Sequence, residues 1–174
     1  MAEKVGILGL GLIGRVAAEK LMPEGYECIA VRRPSTEDFP DVGGKLVETA
    51  RELAEVSDIV ISALPNVESA KTAMEGPDGL LAGAHDGLTI VEMNTFGVAV
   101  KEEIKALVDA TPASILDCPV SGTQPIIRAG NGVIMMSGDE ARCNAVKPVL
   151  EKICPKTFYV GDYGTGIKLK LMIN

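Results

Sequence analysis

The sequence predicts an α/β domain with a doubly wound, mostly parallel sheet and some extra strands. Three observations carry that expectation. An apolar run at residues 4–8 enters a Gly-x-Gly-x-x-Gly turn at Gly9, Gly11 and Gly14, and Val16, Ala17, Ala18 and Leu21 follow at helical spacing. Continuous apolar runs recur at residues 58–64 and 88–93, as strands buried on both faces require. Helical patterns separate these runs, and strands alternating with helices imply parallel pairing. A length of 174 residues suits one domain with a continuous core.

Each glycine of the first turn has its own work in a dinucleotide site. Gly9 permits the tight turn, Gly11 lets a pyrophosphate approach the backbone, and Gly14 allows close packing of helix on strand. The helix start at Leu12 and Ile13 offers free N–H groups to the anion. The alternative is a purely structural Gly-rich turn, but the setting after a strand and before a helix favours the dinucleotide. A Walker-type phosphate loop is excluded, because Arg15 and Val16 follow Gly14 where Lys and Ser or Thr are needed.

After a turn at Pro23-Glu24-Gly25, residues 27–31 read as the second strand, ending at Arg32-Arg33-Pro34-Ser35-Thr36. The end of that strand faces the adenosine ribose in such folds, where an acidic residue favours NAD. Here two arginines and then two hydroxyls, Ser35 and Thr36, stand instead. Guanidinium groups bind phosphate bidentately, so the pattern favours the 2′-phosphate of NADP. The competing reading is a solvated pair of surface arginines. Residues 37–44 form a loop, residues 45–48 a short edge strand, and residues 49–56 a helix with Thr49 and Glu52 in capping-box spacing.

The strand at 58–64 ends at Leu64-Pro65-Asn66, ahead of a helix over 67–74. The strand at 88–93 ends at Asn94-Thr95, ahead of a helix over 98–109. Ligands of doubly wound sheets lie beyond the C-terminal strand ends, which puts Arg32, Leu64, Pro65 and Thr95 near one site. Residues 114–117 form a further strand leading to Cys118-Pro119-Val120-Ser121-Gly122-Thr123. A strand at 133–137, a helix at 139–153 and a strand at 157–160 follow, and a helical segment carrying Lys168, Lys170 and Asn174 comes last. Ser121, Gly122 and Thr123 offer hydroxyls and approachable N–H groups as a carboxylate cradle, or simply a Gly-containing turn. Lys170 and Asn174, four apart, share a helix face. On spacing alone that face reads as a solvated amphipathic surface.

Composition narrows the partners. Hydrophobic residues make up 47% and charged residues 24%, and the net charge is −7 with no basic block. That balance argues against nucleic acid or an anionic membrane surface. No stretch has the length and apolarity of a membrane span or signal peptide. Cys28, Cys118, Cys143 and Cys154 form no C-x-x-C pair and suit a reduced, cytoplasmic protein. His85, the only histidine, reads as a solvated loop side chain, and no metal site is expected.

The ordered motifs Gly9-x-Gly11-x-x-Gly14, Asp117-Cys118-Pro119-Val120-Ser121-Gly122 and Gly164-x-Gly166-x-x-x-Lys170-x-x-x-Asn174 resemble the β-hydroxyacid dehydrogenase family. That family includes 3-hydroxyisobutyrate dehydrogenase, tartronate semialdehyde reductase and, more distantly, 6-phosphogluconate dehydrogenase. The resemblance spans essentially the whole chain. It implies an NADP-binding Rossmann domain over 1–163 and, over 164–174, the start of an interdomain helix, with the rest of the family's helical domain absent. It implies an oxidoreductase that interconverts a short 3-hydroxyacid and its semialdehyde, with Lys170 as the catalytic residue. Ser121, Gly122, Thr123 and Asn174 would bind substrate. The cofactor would lie on Gly9–Gly14, Arg32, Arg33, Ser35, Leu64, Pro65 and Thr95. Thr123 departs from the family's usual Ser-Gly-Gly, and Ile173 stands where a second Asn is common. Imine reduction on a similar scaffold is disfavoured by Lys170, since related imine reductases usually carry another residue there. The alternative is an NADP-binding module without turnover of its own. Apolar Ile167, Leu171 and Met172 on the last helix would be partly exposed, favouring self-association or a partner's helices.

Overall fold

Parallel strands buried on both faces need two apolar cores, and the strands here alternate their side chains between two. A computed structural model describes residues 3–173. The chain runs through β1 (Lys4–Leu8), α1 (Leu12–Leu21), β2 (Glu27–Val31), β3 (Lys45–Val47), α2 (Ala50–Val56), β4 (Ile59–Ser62), α3 (Val67–Met74), β5 (Thr89–Glu92), α4 (Val98–Asp109) and β6 (Ser114–Asp117). It continues through β7 (Val120–Ser121), α5 (Gln124–Arg128), β8 (Val133–Met136), α6 (Glu140–Ile153), β9 (Lys156–Tyr159) and α7 (Thr165–Ile173).

Strands β1 to β6 form one fully parallel sheet in the order β3-β2-β1-β4-β5-β6. This is the doubly wound Rossmann order, with its reversal between β1 and β4. Val5 and Ile7, Ile59 and Ile61, and Val91 join one core with α1 and α6, whereas Leu8, Val60 and Ile90 join the other with α2 and α4. That two-sided burial is why the strands read as continuous apolar runs.

The extra strands make a separate three-stranded sheet, β7-β8-β9, in which β7 runs antiparallel to β8 and β9 parallel to it. A bridge between Asp117 and Ser137 ties it to the end of β6. Sequence periodicity does not reveal β7 or α5, because a two-residue strand and a five-residue helix are too short to show one. The short strand expected near 45–48 is β3, an edge strand beside β2. The expected loop before it, 37–44, packs Phe39 into the first core, 1% exposed.

Three helices are capped by their own sequence. Thr49, Asn66 and Asp139 accept from the N–H groups of Glu52, Ser69 and Arg142. The Glu52 carboxylate returns to the Glu48 N–H at 2.8 Å, one residue earlier than the expected capping box. His85 is a correction. Its ring is half-buried, with Nε2 3.2 Å from the carbonyls of Ala54 and Ser57 and Nδ1 accepting from the Gly87 N–H. It closes the C-terminal end of α2, where carbonyls lack helical partners, and so is not solvated. Ile167 is a second correction: it is fully buried, while Leu171, Met172 and Ile173 are exposed. No helix of the described residues is long and apolar enough to cross a membrane.

Candidate functional site

A cleft of about 710 Å³ opens beyond the C-terminal ends of β1, β2, β4 and β5, across the point where strand order reverses. Its first wall is the glycine turn. Gly9 has φ 102°, and a Cβ there would stand 2.5 Å from the Ala63 carbonyl oxygen. Both facts demand glycine. At Gly14, on the inner face of α1, a Cβ would fall 2.2 Å from the Gly9 carbonyl oxygen, so glycine lets the helix sit directly on the turn. Around Gly11 a Cβ would meet nothing within 4 Å, and no side chain caps α1. The open space and the uncapped N–H groups at Leu12 and Ile13 fit a diphosphate, and Gly9, Gly11, Leu12 and Ile13 all line the cleft.

The second wall is the turn after β2, where Arg33, Ser35 and Thr36 line the cleft. Thr36 is buried, and its Oγ1 accepts from the Arg33 N–H at 2.8 Å. The Arg15 guanidinium makes a two-pronged contact with Asp38, 2.9 Å on each prong, and reaches the Ser35 carbonyl at 3.2 Å. These bonds give the turn a fixed shape. Arg32 lies off the cleft lining and pairs through Nε with Glu48 at 2.8 Å. The two arginines therefore part company: Arg33 faces the cleft and Arg32 a neighbouring carboxylate.

Leu64, Pro65, Asn94 and Thr95 form the far side, and Val120, Gly122 and Lys170 close the end. Gly122 has φ 134°, which sets the bend between β7 and α5. Ser121 is half-buried in β7 opposite Val133, and Thr123 is exposed at the start of α5, so both adjoin the cleft in sequence without lining it. Asn174 lies outside the described residues.

Lys170 is 8% exposed, and its ammonium donates to the Val120 carbonyl. Burial pulls its pKa below the ordinary 10.5. Lys168, two residues earlier, is exposed. The thiols offer no nucleophile here: burial pushes Cys118 well above its ordinary value, and Cys143 and Cys154 up to about 11. Among the described residues no cluster of His, Cys, Asp or Glu could hold a metal.

Behind the Lys170 end lies a polar cluster that sequence reasoning did not single out. Glu92, Lys101 and Asp117 are all fully buried, with Lys101 Nζ 2.8 Å from Asp117 and bonded also to Glu92. The signal was available. Glu92 and Asp117 close two strands that are otherwise apolar or nearly so, and Lys101 shares the buried stripe of α4 with Ile104 and Val108.

A family model described as the NAD binding domain of 6-phosphogluconate dehydrogenase matches residues 4–161. The chain is 32% identical over 172 residues to human mitochondrial 3-hydroxyisobutyrate dehydrogenase, covering 98% of this chain and 51% of that protein. It is 31% identical over 169 residues to Escherichia coli 2-hydroxy-3-oxopropionate reductase, covering 97% of this chain and 58% of the relative. Among solved structures, Mycobacterium tuberculosis 3-hydroxyisobutyrate dehydrogenase with L-serine superposes at a TM-score of 0.89 with 27% identity, over 99% of this chain and 59% of that one. The chain thus spans little more than half the length of these relatives. A Myxococcus stipitatus imine reductase at 18% identity and TM-score 0.89 shares the fold. With a matched model over most of its length and a cleft at the switch point of a parallel sheet, the chain belongs to the family of the NAD binding domain of 6-phosphogluconate dehydrogenase.

Proposed function

We propose that this chain carries the cofactor half of an NADP-dependent oxidoreductase that interconverts a short 3-hydroxyacid and its semialdehyde. The observation that carries the reading is Lys170, a buried lysine with a depressed pKa at the closed end of a dinucleotide-type cleft. A nicotinamide cofactor, when bound, supplies a hydride acceptor or donor. The residues around it divide the remaining work. Gly9, Gly11 and the N–H groups of Leu12 and Ile13 would hold the diphosphate, with Gly14 packed beneath them. Arg33 and Ser35 would take the 2′-phosphate, with Arg32 recruited only if it leaves Glu48. Leu64, Pro65 and Thr95, on the far side of the cleft, would border the nicotinamide end.

In the oxidation direction, neutral Lys170 accepts the hydroxyl proton as the carbinol carbon gives up its hydride, leaving a carbonyl and an ammonium. Reduction returns both. Burial favours the neutral amine that the forward step needs. Gly122, with Ser121 and Thr123 beside it, would receive the substrate carboxylate, and Asn174 would orient the substrate. The relatives named for 3-hydroxyisobutyrate and 2-hydroxy-3-oxopropionate support the substrate class.

A second reading, a cofactor-binding module without turnover, is favoured by one observation: the chain covers 51% and 58% of those relatives. Assays of a panel of short 3-hydroxyacids and semialdehydes with NADPH or NADP⁺ separate the two. Lys170→Ala is expected to lower turnover by roughly 10²–10⁴-fold with cofactor binding intact. Lys168→Ala, on the exposed side, should leave turnover unchanged. A greater loss from Lys168→Ala, or none from Lys170→Ala, would remove Lys170 from the chemistry.

A further inference from the structure

None of the buried trio Glu92, Lys101 and Asp117 lines the cleft itself, although Glu92 accepts from Asn94, which does, and burying three charges is costly unless they hold something in place. What they hold is α7. The two oxygens of Asp117 point in different directions: Oδ1 accepts from Lys101 Nζ, and Oδ2 accepts from the Ile167 N–H at 2.8 Å. Ser137 Oγ lies 3.1 Å from Asp117 Oδ2 and itself accepts from the Gly166 N–H at 2.9 Å. The first turn of α7 is thus held by acceptors 29 and 50 residues away in the chain. On the other side of Lys101, Tyr163 donates its hydroxyl to the Lys101 carbonyl at 3.2 Å, so the approach to α7 is fastened to α4 as well.

The helix backbone also comes unusually close. A Cβ at Gly166 would stand 2.5 Å from the Met135 carbonyl oxygen, 3.0 Å from Pro119 Cδ and 3.1 Å from the Asp117 carbonyl oxygen. Asp117 therefore meets α7 twice, through its carboxylate and its carbonyl, and three residues on the same strand-to-turn segment presents the Val120 carbonyl to Lys170 Nζ. Ile167 and Lys170 are one turn apart on a shared face. A nine-residue helix has little stability of its own, so its rotation and depth depend on such contacts.

We infer that Asp117, paired with the Lys101 ammonium that it shares with Glu92 and seated through Ser137, is the positioning residue that sets the rotation and depth of α7 and so places Lys170 against Val120 at the end of the cleft. This rests on the proposed role of Lys170 in the chemistry, and the test separates the two. Gly166→Ala and Ser137→Ala loosen the docking without unbalancing the buried charges, and Ala at 166 raises helix propensity while it blocks the close approach. Asp117→Asn removes the anchoring charge and leaves Lys101 paired with Glu92, so the buried charges still balance.

The readouts are amide hydrogen exchange and the NMR titration of the Lys170 side chain in the 174-residue chain, with NADPH affinity as a control. Exchange at 166–170 should accelerate about tenfold or more while β1 and β4 keep their protection. The Lys170 titration should move toward that of a free lysine, NADPH affinity should hold, and in any form that turns over, kcat should fall more than KM rises. The inference is overturned if α7 protection and the Lys170 titration stay as in the parent, or if protection falls equally in every strand. The hydroxyacid reading fails separately, if the parent turns over no member of the substrate panel while these exchange and titration changes still appear.

Discussion

Lys170 shows how far one residue's surroundings carry its chemistry. Two residues earlier on the same helix, Lys168 is exposed, whereas Lys170 gives up most of its water for one carbonyl partner. Its folded-state pKa is lowered by burial, so between that value and the unfolded value near 10.4 the unfolded chain binds more protons. Stability from this group is fully present above the unfolded value and is lost as pH falls through the folded one. The Tm difference between the parent and Lys170→Met should therefore move in the parent's favour as pH rises through that window, and calorimetry across alkaline pH checks it. A difference flat with pH would mean that Lys170 is not desolvated. The arginine pair gives the second expectation at this scale. A charge-assisted hydrogen bond contributes about 1.5–3 kcal/mol, so NADPH should bind about tenfold or more tighter than NADH. Because Arg33 lines the cleft and Arg32 pairs with Glu48, Arg33→Ala should erase most of that preference and Arg32→Ala much less. Fluorescence titration of both cofactors against both variants decides it, and equal affinities in the parent would refute the phosphate assignment.

Among the elements, the strand–turn–helix at the N-terminus allows the sharpest separation of folding from binding. Gly14→Ala drives a methyl to 2.2 Å from the Gly9 carbonyl oxygen, an overpacking expected to cost about 1–3 kcal/mol, so Tm and cofactor binding should fall together. Gly11→Ala meets no protein atom within 4 Å, so the free protein's Tm should barely change while cofactor affinity drops sharply. If both variants lowered Tm alike, or Gly11→Ala left affinity untouched, the space at Gly11 would have no ligand to hold. The major elements were legible in the sequence for a related reason. Runs such as Ile59 to Ser62 and Thr89 to Glu92 are buried on both faces, and that burial leaves a continuous apolar signature. What stayed hidden depends on distant partners. The antiparallel turn of β7 onto β8 is set by pairing with residue 133, and the Asp117–Lys101 pair joins two elements by side chains alone. The half-buried His85 was unreadable likewise, because its acceptors belong to α2 and the turn after it.

On the scale of the whole molecule, the cofactor cleft and the last helix have different standing. The cleft is walled by elements packed into two cores. The helix is docked at Gly166, Ile167 and Lys170, but beyond them it turns apolar side chains outward: Leu171, Met172 and Ile173 are 49%, 78% and 61% exposed. Contiguous exposed apolar side chains of this kind favour association. The apolar end also lies next to Lys170, so whatever covers it would further shield the Lys170 end of the cleft from water. The 174-residue chain is therefore expected to bind NADPH as a folded unit, to self-associate through the end of α7, and to turn over hydroxyacids poorly. Sedimentation over a range of concentrations should show reversible association that Leu171→Lys with Met172→Lys suppresses, while NADPH titration in the double variant matches the parent. A chain that stays monomeric at all concentrations and turns over its substrate robustly would refute this, because the apolar end would then need no cover and the site would be complete within these residues.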